Sequence, residues 1–350
     1  MGIYIITVSI LFCLAFLDVF ANFRTVYTCL YQTFWSICVS GLVLIAGFRA
    51  CGVDFNEYIT IHYYIQQGDF FTEPAHVLLN RLFVNFGWVV LIMAFLSLLP
   101  KAYIFRKISP YPFLSLFLLL SPWFFTQDMG QYRQAVSTGF CLLSTLFMYK
   151  EKRWKALWLV VVAMMFHYSA VFFLPALLIP TTAFSIRWSC GVFIVSLLLG
   201  ALCLKLLPFM ADYLFPYLSD KIRLYTEENT TGNLINVSML VKIALWMLAY
   251  SQKDIIVQYP NGGYFLNLYF IHFCLLFAFF PFPAIAGRAG LSYKIVELVL
   301  IPYLIRSYRL TTNKIWMTIF VLLVFLYGTY NFLSSMQEAY IPYKNWLYGG

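Results

Sequence analysis

The sequence predicts an all-α, polytopic integral membrane protein of about 11 to 12 transmembrane or re-entrant helices. Three observations carry that prediction. Hydrophobic residues make up 62% of the chain, charged residues only 11%, and the charges gather at the ends of apolar runs long enough to cross a bilayer. The net charge of +9 is scattered in short clusters, which act as orientation signals, so no nucleic acid is expected as a partner. The 8 cysteines include no CxxC pair and read as small core residues.

Spans are predicted near 3–21, 30–48, 78–99, 110–125, 132–149, 188–208, 235–250, 263–281, 291–305 and 315–333. The stretch 1–20 lacks a basic n-region and a small-residue cleavage site, so it reads as a retained first span. Basic residues in short loops favour the cytoplasm. Arg24, then Lys101, Arg106 and Lys107, then Lys150, Lys152, Arg153 and Lys155 agree with one another and put the N-terminus, loop 49–77 and loop 126–131 outside. Lys253 and the group Arg306, Arg309 and Lys314 also favour the cytoplasm, which leaves the acidic loop 209–234 outside.

These assignments agree only when residues 156–180 go in and come back. Segments 154–166 and 168–180 are each about half a membrane long, with His167, Tyr168 and Ser169 at the junction of a re-entrant pair. A full span kinked at Pro175, with the C-terminal orientation reversed, is the alternative. A single membrane domain, 1–350, is the simplest organisation. Asn229 and Asn236 match glycosylation sequons, a short pattern that means nothing in a bacterial chain.

Residues 127–139, QDMGQYRQAVSTG, interrupt this greasy pattern with Asp128, Gln131, Arg133 and Gln134. A charge near the bilayer centre costs about 2.5–3.5 kcal/mol on insertion scales, so such residues mark ligand or ion paths. Asp128 with Gln131 reads as a capping box that would aim backbone N–H groups and the Arg133 guanidinium at one spot suited to phosphate. The simpler reading has Arg133 snorkelling to the interface. The expected outer segments 49–81 and 282–297 carry further polar residues, among them Arg49, Asp54, Tyr58, Glu73, Arg288, Tyr293 and Lys294.

Arg49 with Gly52-Val53-Asp54 and Tyr58, then Glu73-Pro74, DMGQYRQA around Arg133, HYSA from His167, GRAGLSY from Arg288 and the closing Pro342-Tyr343-Lys344 together resemble the EpsG family. That family contains Wzy-type polymerases of bacterial O-antigen and exopolysaccharide. The resemblance runs from about residue 45 to 345 with the motifs in order. Phe55 stands where the family often has Tyr. The resemblance implies a metal-independent membrane glycosyltransferase of GT-C-like architecture. It also implies transfer of a growing glycan from undecaprenyl pyrophosphate onto another lipid-linked repeat unit, at the periplasmic face of the bacterial inner membrane. A chain-length regulator protein is a conceivable partner, and no cofactor is implied.

Such a reaction needs cations for a diphosphate leaving group and a base for the sugar hydroxyl. Arg49, Arg133, Arg288 and Lys294 are the candidate pyrophosphate ligands. His167 is the candidate base, with Asp54, Glu73 and Asp128 as rivals whose plainer role is pairing with arginines; Arg133, Asp128 and His167 form the candidate catalytic set. Asp54, Tyr58, Glu73, Gln131, Gln134 and Tyr293 are candidate sugar contacts, and Tyr132 and Trp123 are further rings able to stack on sugars, although most aromatic residues serve the interfacial belt. No carboxylate pair or histidine cluster has the spacing of a metal site. A transporter of lipid-linked repeats and an O-antigen ligase are the rival functions.

Overall fold

The structure is a computed structural model that describes residues 2–21, 23–69, 72–214, 237–280 and 282–348. Most of the expected loop 209–234 and the sequon asparagines Asn229 and Asn236 lie outside the described residues, whereas 209–214 continue a helix. The described residues are helical apart from loops and one isolated antiparallel bridge between Arg49 and Asn345. They form two compact units, Met1–Val171 with Ile305–Gly350, and Phe172–Leu304.

The first unit runs through α1 (Gly2–Phe20), α2 (Phe23–Val26), α3 (Thr28–Gly47), α4 (Phe55–Gln66), α5 (Pro74–Leu82), α6 (Phe86–Ile108) and α7 (Pro112–Leu120). A π-helical turn (Phe124–Asp128), α8 (Tyr132–Tyr149) and α9 (Arg153–Phe166) follow. A 3-10 helix (Tyr168–Leu178) leads into the second unit, which holds α10 (Ile186–Leu214), α11 (Val237–Ser251), α12 (Lys253–Ile256), α13 (Gly262–Ala278), α14 (Pro283–Lys294) and α15 (Glu297–Ser307). The chain then returns to the first unit through α16 (Thr311–Ser335), α17 (Gln337–Tyr340) and a final 3-10 turn (Trp346–Tyr348). Helices α1, α3, α6 and α16 and the Ile186–Cys203 part of α10 are long and apolar enough to cross a bilayer. The protein is therefore an all-α, multi-pass membrane protein.

Several predicted spans are broken where local chemistry forbids a continuous helix. The span expected over 110–125 ends at Leu120, because Ser121 is extended before Pro122. The span expected over 78–99 is two helices parted by Phe83–Asn85, and Asn85 Oδ1 caps α6 by accepting from Gly87 N at 2.8 Å. Helix α6 then continues to Ile108, so Lys101, expected in a cytoplasmic loop, lies inside it and is fully buried. The span expected over 291–305 is split between α14 and α15. At His167 the backbone turns extended (φ −157°, ψ 120°) and α9 stops, at the predicted junction.

The first unit has two chemically distinct ends. At one, Arg24 Nη2 donates to Arg106 O at 3.5 Å, Lys314 Nζ donates to Val19 O at 2.9 Å, and the Arg106 guanidinium lies 4.8 Å from the Tyr31 ring centre. Buried Asp18 accepts from Phe113 N at 2.8 Å there and stands in as the cap of α7. The other end joins the start of α1 to the loops after α3 and α16: Tyr4 hydroxyl donates to Tyr340 O (3.1 Å), and Gly52 N to Ala339 O (2.8 Å). Gly52 has φ +133°, and a Cβ there would meet Met129 O at 2.6 Å, so only glycine fits where this loop crosses the start of α8.

Candidate functional site

The end opposite the basic cluster is organised around a stack of rings and cations. Tyr132, at the first position of α8, stacks on Tyr58 of α4 with ring centres 4.0 Å apart and planes 29° from parallel. The Arg49 guanidinium sits over the Tyr132 ring at 5.7 Å, and the Arg133 guanidinium over the Tyr58 ring at 5.3 Å. Since the rings cover each other's inner faces, each cation takes an outer face. Val89, Met93, Val136 and Phe166 pack around the ring pair and hold it against α6, α8 and α9. Tyr132 hydroxyl and His76 Nε2 are 3.1 Å apart. Burial, followed by the charge of Arg133, pushes the His76 pKa down to about 3, so this imidazole is neutral at physiological pH.

Arg133 is the cation that reaches the surface. Its Nη1 donates to Glu73 Oε2 at 2.6 Å and to Thr72 Oγ1, while 21% of the side chain stays exposed. Thr72 Oγ1 also donates to Glu73 Oε2 at 2.6 Å. Burial raises the Glu73 pKa, but Arg133, the Thr72 hydroxyl and His167 outweigh it, so the carboxyl titrates below its ordinary range and is ionised. The other carboxylate oxygen of Glu73 accepts from Tyr168 N at 3.4 Å, which brings the break after α9 to the same place. Ser169 completes the group. Its hydroxyl lies 2.7 Å from His167 Nδ1, its backbone N–H donates to that same nitrogen at 3.2 Å, and Gln134 Nε2 donates to its Oγ at 3.4 Å. A ring nitrogen that accepts the Ser169 N–H carries no proton itself, so the neutral imidazole holds its proton on Nε2.

The structure redistributes several predicted roles. Asp128 does not cap α8: Gln131 occupies the cap position without a side-chain capping bond, and its Oε1 accepts from Gln127 Nε2 at 3.3 Å instead. Asp128 Oδ1 instead meets Lys101 Nζ at 2.7 Å and accepts from Ser97 Oγ, and both charged side chains are fully buried. This pair ties α6 to the π-helical turn. Tyr58 has both faces occupied, by Tyr132 and Arg133, which removes it as a platform for sugars. Arg49, expected to line an open phosphate site, is 0% exposed; its Nη1 donates to Ala46 O at 2.6 Å. Asp54 is half-buried before α4, with no side-chain cap bond.

The remaining predicted residues belong to the second unit. Arg288 is exposed on α14, while Tyr293 is buried and donates its hydroxyl to Phe172 O at 2.8 Å. Lys294 Nζ lies 3.8 Å from Glu297 Oε1, and Tyr269 hydroxyl donates to Glu297 Oε2 at 2.9 Å. Tyr293 is thus a packing residue of its unit. Tyr132, expected as a ring that could stack on a sugar, is stacked on Tyr58 and lies under Arg49 instead. Thr72, His76 and the pair Ser97 with Lys101 were not singled out as site residues by the sequence, although Thr72 and His76 carried a signal as polar neighbours of Glu73 ahead of an apolar run, and Ser169 was marked only as part of the polar junction.

A buried ring stack that carries two guanidiniums, beside an ionised carboxylate and a Ser–His pair, has the chemistry to hold an anion. The EpsG family model matches residues 32–345, nearly the whole chain, and the protein belongs to the EpsG family. Members of that family are Wzy-like polymerases, so the protein is a polysaccharide polymerase, of glycosyltransferase type, with a lipid-linked oligosaccharide as substrate. No curated protein and no solved structure matches the chain.

Proposed function

We propose that the protein transfers a growing glycan from undecaprenyl pyrophosphate onto another lipid-linked repeat unit at the periplasmic face of the bacterial inner membrane. The observation that carries this reading is the position of Arg133. It is a surface-reaching guanidinium held by Glu73 and Thr72 at the end of the first unit away from Arg24, Arg106 and Lys314. Lys and Arg of short loops favour the cytoplasm, which supports an outward-facing site.

In the reaction the acceptor sugar hydroxyl attacks the anomeric carbon of the donor glycan. The bond from that carbon to the diphosphate oxygen breaks, and the lipid diphosphate leaves with the electron pair. Arg133 stabilises the charge that grows on the departing diphosphate. The hydroxyl proton passes to Ser169 Oγ as Ser169 hands its own proton to His167 Nδ1, the nitrogen the network leaves able to accept one. Glu73 then faces an imidazolium and an arginine, which stabilises the charged histidine. In this scheme arginine and the Ser–His pair do the work without a metal. Arg288 and Lys294 serve as anion ligands within their own unit, residues 156–180 act as a re-entrant pair, and a chain-length regulator acts as partner.

The test is purified protein in detergent given a lipid-linked repeat unit. A ladder of polymer is expected. Unchanged single repeats from folded protein would contradict the reading.

A further inference from the structure

Arg49 is a fully buried guanidinium with no carboxylate bonded to it: Nη1 is used by Ala46 O, while Nε and Nη2 have no hydrogen-bond partner among the described residues. An uncompensated buried charge is among the costliest features a fold can hold, and it persists where it has a use. The cover over this residue is the chain's own C-terminal segment. Asn345 pairs with Arg49 in the antiparallel bridge, through Ala50 N donating to Lys344 O at 2.8 Å and Trp346 N to Phe48 O at 3.1 Å. Those two bonds flank the Arg49–Asn345 pair, so it is of the non-hydrogen-bonded kind, which brings the two side chains onto one face and close together. Asn345 nevertheless turns its amide oxygen to its own Leu347 N (2.9 Å), so the segment covers Arg49 without neutralising it.

The anchors of this strap are unequal. Tyr340 is fully buried and donates its hydroxyl to Phe125 O at 2.7 Å. Beyond it, Pro342, Lys344 and Leu347 are exposed, and the segment is held by the two bridge bonds, by Tyr343 hydroxyl to Ile45 O and Trp346 Nε1 to Gly47 O, and by ring contacts of Trp346 with Phe48 and Trp88 and of Tyr343 with Tyr4. We propose that residues 342–348 are a strap hinged after Tyr340, and that its displacement opens Arg49 as a second diphosphate-binding group, distinct from Arg133. This rests on the polymerase reading, in which two lipid-linked diphosphates must be held in one turnover. The ring pair between the two guanidiniums keeps them apart, as two separate headgroups require.

A reversible lock tests it. The variant Ala50→Cys with Lys344→Cys, in a Cys51→Ser background, is purified in detergent and titrated with inorganic pyrophosphate and with farnesyl diphosphate, oxidised and then reduced. The expected result is a fall in binding stoichiometry from about two diphosphates per protein to about one in the oxidised form, where only Arg133 stays open, restored by reductant. Arg49→Lys, which keeps the charge and loses the fork, is expected to bind about one diphosphate whether or not the strap is locked. Tighter binding of farnesyl diphosphate than of pyrophosphate assigns the site to a lipid headgroup; equal affinities assign it to a free anion. Equal binding by the oxidised and reduced forms would overturn the strap. Ladder formation by the reduced variant, read separately, reports on the polymerase reading alone.

Discussion

The first unit contains two ion pairs that look alike in sequence and differ in what surrounds them. Lys101 and Asp128 meet at 2.7 Å with neither side chain exposed, and Ser97 bonds to both. Arg133 and Glu73 meet at 2.6 Å with the arginine one-fifth exposed. The first pair is closed, so its charges cancel only each other and it fixes the π-helical turn against α6. The second leaves one-fifth of its arginine side chain exposed, where the proposed diphosphate would bind. Depth and closure, more than charge, separate the scaffold from the chemistry.

The largest effect is expected at the closed pair. Lys101→Ala strands a buried carboxylate and should cost about 3–5 kcal/mol, read as a lowered melting temperature in detergent. The double variant Lys101→Met with Asp128→Leu should regain most of that loss. If the single variant melts like the parent, the pair is not a structural tie. Next comes His167→Ala, expected to slow polymerisation about a hundredfold while the melting temperature changes little, with Ser169→Ala showing a similar loss. An unchanged rate in both would remove the proton relay.

Tyr132→Phe keeps the ring stack and deletes the bond to His76, so about 1 kcal/mol is expected in a denaturant titration. Acid should then expose the open end. His76 is held near pKa 3 in the native state against an ordinary 6.5, so the unfolded chain takes a proton first and stability falls as pH drops through that window. Glu73, whose folded pKa is depressed, contributes fully above its ordinary 4.5 and loses that contribution as pH falls through its folded value. His76→Gln should abolish the loss that begins near pH 6.5, and a parent-like profile in that variant would assign the loss to other groups.

Much of the scaffold was legible because apolar runs report bilayer crossings directly: the predicted 132–149 helix has the observed bounds, and α9 stops at His167 as expected. The breaks at Ser121 and at Phe83–Asn85 were missed because an apolar run conceals a proline stop or a cap. Arg133 stood out through its polarity in a greasy context. The partner of Asp128 did not, because Lys101 carries the same letter as an orientation signal and its neutralising acid lies far along the chain. Arg49 could not be placed as buried either, since its cover comes from the opposite end of the sequence.

The most direct test of the central claim, that Arg133 carries the departing diphosphate, is polymerisation by purified Arg133→Gln given a lipid-linked repeat, with a melting curve on the same sample. Folded protein that leaves single repeats unjoined is the expected result. A ladder of parental length from folded Arg133→Gln would contradict it.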